Sequence, residues 1–155
     1  MHNGSRRQGR EMAVKVLFGL FDREQDPDQV LETFWSSFRF GTDVLGEALD
    51  EAVKPVKQEV RLFAEQLVLG VASHRQQIDQ LLDDFSTNWT LERMSRVDLA
   101  ILRMAAFELL HHPQTPTNVV INEAVELGKR YGTRETPAFV NGLLDKVARG
   151  CRSAD

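Results

Sequence analysis

The chain contains four histidines, one cysteine and twenty-three acidic residues. These are the side chains that could support acid–base, nucleophilic or metal chemistry, and their spacing matches none of the three. His111 and His112 are consecutive, so on a helix they diverge by about 100° and do not share a metal. His2 and His74 have no cysteine or carboxylate at ligand spacing, so neither a zinc nor a di-iron site is expected. No glycine-rich phosphate loop is present, and the Ser, Thr and Cys residues lack an activating signature. Asp83-Asp84 and Asp50-Glu51 read as solvated helix edges rather than acid–base pairs, and Cys151 as an ordinary free thiol. No catalytic residue, metal or cofactor is therefore expected. What remains is the basic cluster Arg6-Arg7-Gln8-Gly9-Arg10, whose guanidinium groups suit an anionic partner.

The charge distribution sharpens this reading. The net charge is −4, which argues against a generally basic nucleic-acid surface. In the first fifteen residues, however, Arg6, Arg7, Arg10 and Lys15 face Glu11 alone. A basic tip on an acidic body implies one local anion contact, and a solvated helix start is the competing reading. Cations at a helix N-terminus oppose the macrodipole, at a cost of about 0.3–1 kcal/mol each, so three arginines there favour a functional reason. With 155 residues and a 42% hydrophobic fraction, the chain can bury a core as one soluble domain, residues 1–155. No apolar run approaches the roughly 20 residues that cross a bilayer, and no signal peptide opens the chain. A single cysteine suits a reducing cytoplasm.

The elements that position these groups are helical. After residue 10, Met12, Ala13, Val16, Leu17 and Leu20 form one stripe. Val14, Phe18 and Phe21 lie on an adjoining flank, toward which Arg7 and Arg10 project. That flank is either core or a docking face for a partner. Asp26-Pro27 starts a second helix, through about Phe40, and Gly41 to Lys54 is a weakly patterned connection. From Pro55 a seam of Val60, Phe63, Leu67, Val71, His74, Ile78, Leu82 and Phe85 predicts either one long helix or two meeting near His74. Ser95 with Asp98 caps a helix that is apolar nearly all round, the expected centre of the fold, with Arg96, Asp98, Arg103 and Glu108 at its edges. Pro113 and Pro116 break it. A helix ending at Gly132 follows, with Glu126 and Arg130 spaced as an outward pair. The last helix is capped by Thr136-Pro137 and stops at Gly150. No strand pattern or repeat appears, so the fold class is all-α, with about seven helices.

The chain resembles the bacterial transcription antitermination factor NusB family over nearly its full length. The resemblance rests on four blocks in order: residues 6–14, 100–109, 121–129 and Phe139-Val140-Asn141-Gly142-Leu143-Leu144-Asp145. It implies two packed helical bundles within one domain, with a boundary near residues 74–90. It also implies a function. Family members pair with a ribosomal small-subunit protein, NusE, and bind the boxA element of nascent RNA. The pair helps RNA polymerase resist termination, notably on ribosomal RNA operons.

By this resemblance Arg6, Arg7 and Arg10 contact RNA, joined by Phe139, Asn141 and Glu135 at the last helix. A carboxylate at Glu135 is expected to repel phosphate mildly. Phe139 also lies on the core stripe, where packing competes with an RNA role, whereas Asn141 lies off it. The partner-binding candidates are Val14, Phe18 and Phe21, with Glu92 and Asp98. Relatives often carry Tyr where Phe18 stands, Gln8-Gly9 makes the basic motif poorer in charge, and Ala138 lacks a basic side chain found in some relatives. These departures imply weaker RNA binding alone and more reliance on the partner. Two alternatives remain at this stage: a structural or regulatory homodimer, and an accessory domain of an RNA methyltransferase.

Overall fold

The computed structural model describes residues 3–20, 25–37, 56–86 and 90–152, apart from the side chains of Asn3 and Glu92. Among them are seven α-helices: α1 (Asn3–Gly19), α2 (Pro27–Ser37), α3 (Gln58–Ser73), α4 (Arg75–Phe85), α5 (Arg96–His111), α6 (Thr117–Tyr131) and α7 (Thr136–Cys151). A single 3₁₀ turn, Leu91–Arg93, precedes α5. The described residues contain no strand, as the hydrophobic periodicity predicts. The Gly41–Lys54 connection, Phe38, Phe40, Pro55 and Thr87-Asn88 lie outside the described residues. The chain divides into two compact units, Met1–Ala72 and Ser73–Asp155.

In the first unit, α1 packs against α2, and α3 meets both. Asp26 starts α2 as its sequence suggests, its carboxylate accepting from the Asp28 amide at 3.1 Å, with Pro27 in the first turn. The core is built from Ala13, Val14, Val16, Leu17, Leu31, Phe34, Val60, Phe63, Ala64, Leu67 and Val68. Arg61 places its guanidinium 5.0 Å from the Trp35 ring, and Trp35 meets Phe34 edge-on, so α3 closes over the apolar side of α2.

The second unit is organised around α5. Ser95 caps it, accepting from the Asp98 amide at 3.0 Å. Every residue from Leu99 to Leu109 is buried, with α4, α6 and α7 packed around the helix. Arg103 and Glu108 are therefore not edge residues. Arg103 forms a two-point pair with the buried Asp79 of α4, at 2.8 and 3.1 Å, and Glu108 is fully buried beside His112. An all-apolar pattern hides such residues because a charged side chain can enter a core once a partner neutralises it.

The exits of α5 and α7 are joined. Arg152 donates to the carbonyls of Glu108, Leu109, His112 and Thr115 at 2.7–3.1 Å, so one side chain satisfies the open end of α5. Gly150 is not the stop of α7, which runs to Cys151. A Cβ at Gly150 would lie 2.2 Å from Phe85, so the glycine makes room for that ring at the end of α4. The long seam resolves into two helices, with His74 at the junction as the N-cap of α4. On α6, Glu126 pairs with Lys129 at 3.0 Å, while Arg130 lies over the Tyr131 ring at 5.2 Å.

Candidate nucleic-acid interface

Helix α1 presents the basic cluster in its first two turns, and α3 supports it from below. Ser5 donates its hydroxyl to Glu59 of α3 at 2.6 Å, which pins the first turn. Gly9 lets the two helices approach closely: a Cβ there would lie 2.8 Å from Phe63 Cδ2 and 3.3 Å from the Val60 carbonyl oxygen. The guanidinium carbons of Arg6 and Arg10 then sit 5.0 and 5.5 Å from the centre of the Phe63 ring. Such cation–π contacts contribute about 0.5–1 kcal/mol when exposed and more when desolvated. The glycine that weakens the helix by propensity is the one that admits Phe63 beneath the arginines.

The three arginines are not equivalent. Arg7 is exposed and Arg6 half-buried, whereas Arg10 is only 3% exposed. Arg10, which the resemblance places among the RNA-contacting residues, has its guanidinium over the Phe63 ring and almost no surface of its own in this structure. Lys15, which belongs to the same basic stretch by sequence, is also buried and lies 3.8 Å from Glu11.

Val14, the first of the expected partner-binding residues, is completely buried in the core of the first unit. Phe18 is half-buried and keeps some surface, and Phe21 lies outside the described residues. On α3, Leu62 is 56% exposed, a large apolar side chain that helical periodicity does not single out.

The second unit carries the other candidates. Glu135 and Asn141 are exposed and Phe139 is half-buried, all at the start of α7. Asp98, in the first turn of α5, is half-buried and accepts the Thr136 hydroxyl at 2.8 Å, so one of its oxygens is already used inside the unit. Glu92 stands in the 3₁₀ turn. Spacing could not reveal the pairing of His74 with His111, whose rings lie tilted against each other with centres 4.1 Å apart near Phe107. The His111 Nε2 lies 3.4 Å from the Gln77 side-chain Oε1. Partial burial, reinforced by the His74 imidazole, lowers the His111 pKa below the ordinary histidine value. Burial raises the Cys151 thiol above its usual range, against a pull from Arg152. That environment disfavours a reactive thiolate. Among the described residues, no group of three or more His, Cys, Asp or Glu is placed to hold a metal ion, and no helix is long and apolar enough to cross a membrane.

An all-helical chain with an arginine tip braced on an aromatic ring has the architecture of an α-helical binding protein. The chain belongs to the NusB family, whose profile it matches over residues 7–149. It is 58% identical over 152 residues to the transcription antitermination protein NusB of Syntrophotalea carbinolica, covering 98% of this chain and 97% of the relative. It is 47% identical to that of Myxococcus xanthus, covering 94% and 95% of the two chains. Among solved structures, Thermotoga maritima NusB aligns with a TM-score of 0.74 at 34% identity, over 93% of this chain and 90% of that one. The antitermination factor NusB solved with NusE and double-stranded RNA shares the fold, with a TM-score of 0.78 at 20% identity, over 96% of this chain and 99% of that one.

Proposed function

We propose that this protein is a cytoplasmic, non-enzymatic RNA-binding antitermination factor. It pairs with the ribosomal small-subunit protein NusE to hold boxA-type RNA as part of an RNA polymerase antitermination complex. The observation that carries this reading is the start of α1, where Arg6 rests on Phe63 beside the exposed Arg7. Its support is membership of the NusB family, together with a solved relative that is bound to NusE and RNA. A guanidinium held by an aromatic ring loses less side-chain entropy on meeting a phosphate or an unstacked base. Such contacts release counterions, so affinity falls with salt.

The roles divide by exposure. Arg6 and Arg7 contact RNA, and Arg10 buttresses Arg6 through the Phe63 ring they share. Glu135, Phe139 and Asn141 form the RNA site of α7 in the second unit, with the Glu135 carboxylate weakening phosphate contact. Phe18 serves the protein partner on the first unit, as do Glu92 and Asp98 on the second. The relatives most similar in sequence favour this reading over an accessory methyltransferase domain, because those named here are themselves antitermination proteins. Gel-shift titration of boxA RNA, with the chain alone and with the partner, tests the reading. Tighter binding in the presence of the partner is expected, and equal binding would count against it.

A further inference from the structure

The short link between α6 and α7 is organised by one hydroxyl. Thr136, the first residue of α7, is 1% exposed. Its Oγ1 donates to Asp98 Oδ1 at 2.8 Å and accepts the Thr133 amide at 3.0 Å. Because the single hydroxyl proton goes to Asp98, the Thr133 hydroxyl 3.3 Å away must be the donor toward Thr136. The Thr133 oxygen in turn accepts the Glu135 amide at 3.3 Å. One ordered path thus runs from α5 through Thr136 and Thr133 to the backbone of Glu135. Two glycines leave space for it: a Cβ at Gly132 would lie 2.5 Å from Thr136 Cβ and Oγ1, and one at Gly128 would lie 3.1 Å from its methyl group. Glu135 makes no side-chain cap of its own to the helix, so the entry of α7 is fixed by Thr136.

We propose that Thr136 is a positioning residue for RNA binding: through Asp98 and Thr133 it sets where the α7 entry presents Glu135 and Phe139. This rests on the RNA site of α7 proposed above. Thr136 touches no RNA itself. The turn Thr136 holds sets two things: how near the exposed Glu135 carboxylate stands to a phosphate, which weakens binding, and where Phe139 meets a base, which strengthens it; losing the turn relieves the first and forfeits the second, with the second the larger.

The test uses the full chain with its partner and a fluorescently labelled single-stranded boxA RNA, with helical circular dichroism as a check on folding. Thr136→Val keeps the side-chain shape and removes the hydroxyl, and RNA binding is expected to weaken about 3- to 10-fold. Thr136→Ser keeps the hydroxyl and should stay within about twofold of the wild type. Glu135→Gln should tighten binding in the wild-type background and change little beside Thr136→Val, a non-additivity that a merely structural role would not produce. If Thr136→Val does not fold, the exposed Thr133→Val breaks the same path and should weaken binding in the same direction. RNA binding unchanged by a folded Thr136→Val, or an effect of Glu135→Gln that is equal in both backgrounds, overturns the inference alone. Failure of the wild-type chain and partner to bind the RNA overturns it together with the function on which it rests.

Discussion

The Arg6 guanidinium lies over the Phe63 ring, 5.0 Å from its centre, and this pairing ties the basic end of α1 to the core of α3. Phe63 is 2% exposed, so the ring acts from below rather than by touching a ligand. Phe63→Leu keeps the seam apolar but removes the aromatic face. Losing about 0.5–1 kcal/mol of orientation predicts RNA binding about two- to fivefold weaker, with helicity retained. Fluorescence anisotropy beside circular dichroism checks this.

The unequal exposure of the arginines separates binding from stability. Arg6→Ala and Arg7→Ala should each lower RNA affinity and reduce the slope of log affinity against log salt by about one. Arg10→Ala should instead lower the unfolding free energy by about 1–2 kcal/mol, through lost packing of its buried stem. Salt titrations and urea midpoints on the three variants discriminate between the two effects.

Gly9→Ala tests the close approach of α1 and α3. Alanine gains about 1 kcal/mol in helix propensity. Its methyl group, however, would meet Phe63 Cδ2 at 2.8 Å and the Val60 carbonyl oxygen at 3.3 Å. Overpacking of this kind costs about 1–3 kcal/mol, and a ring cannot swing aside as a flexible chain end does. The expected result is a net loss of stability together with weaker RNA binding, because the displaced ring is the support for Arg6.

Asp79 holds Arg103 at two points and lies 3.5 Å from Arg75. Removing one member of a buried pair leaves an uncompensated charge, so Asp79→Ala should cost about 3–5 kcal/mol. Thermal unfolding measures the loss.

Acidification should destabilise the second unit through His111. Its folded pKa is lowered by partial burial and by His74, so the unfolded chain takes up protons first as pH falls. The contribution is complete above the ordinary histidine value of about 6.5 and is lost as pH drops from there toward the lower folded value. Urea midpoints followed from neutral to mildly acidic pH should fall more steeply for the wild type than for His111→Gln.

Much of the fold is legible in the sequence because it depends on helical periodicity and caps. The Asp26-Pro27 and Ser95–Asp98 starts and the all-round apolar face of α5 follow from local chemistry. What is not legible depends on partners distant in the chain. Arg103 and Glu108 read as edge residues until Asp79 and the buried end of α5 account for them. Gly150 reads as a stop until Phe85 fills the space beside it. The candidate site divides in the same way. The basic cluster is visible as composition, but the burial of Arg10 and Val14 and the support from Phe63 require α3 to be in place. The one local hint was a glycine inside a charged helix, which marks a close helix contact.

In the proposed function, the exposed Arg7 and the half-buried Arg6 at the start of α1 meet RNA while a protein partner strengthens the complex. Its most direct test is the salt dependence of boxA RNA binding, measured with and without NusE for the wild type and for Arg6→Ala/Arg7→Ala. Tighter binding with the partner and a slope shallower by about two in the double variant are expected. An unchanged slope, together with no gain from the partner, would contradict it.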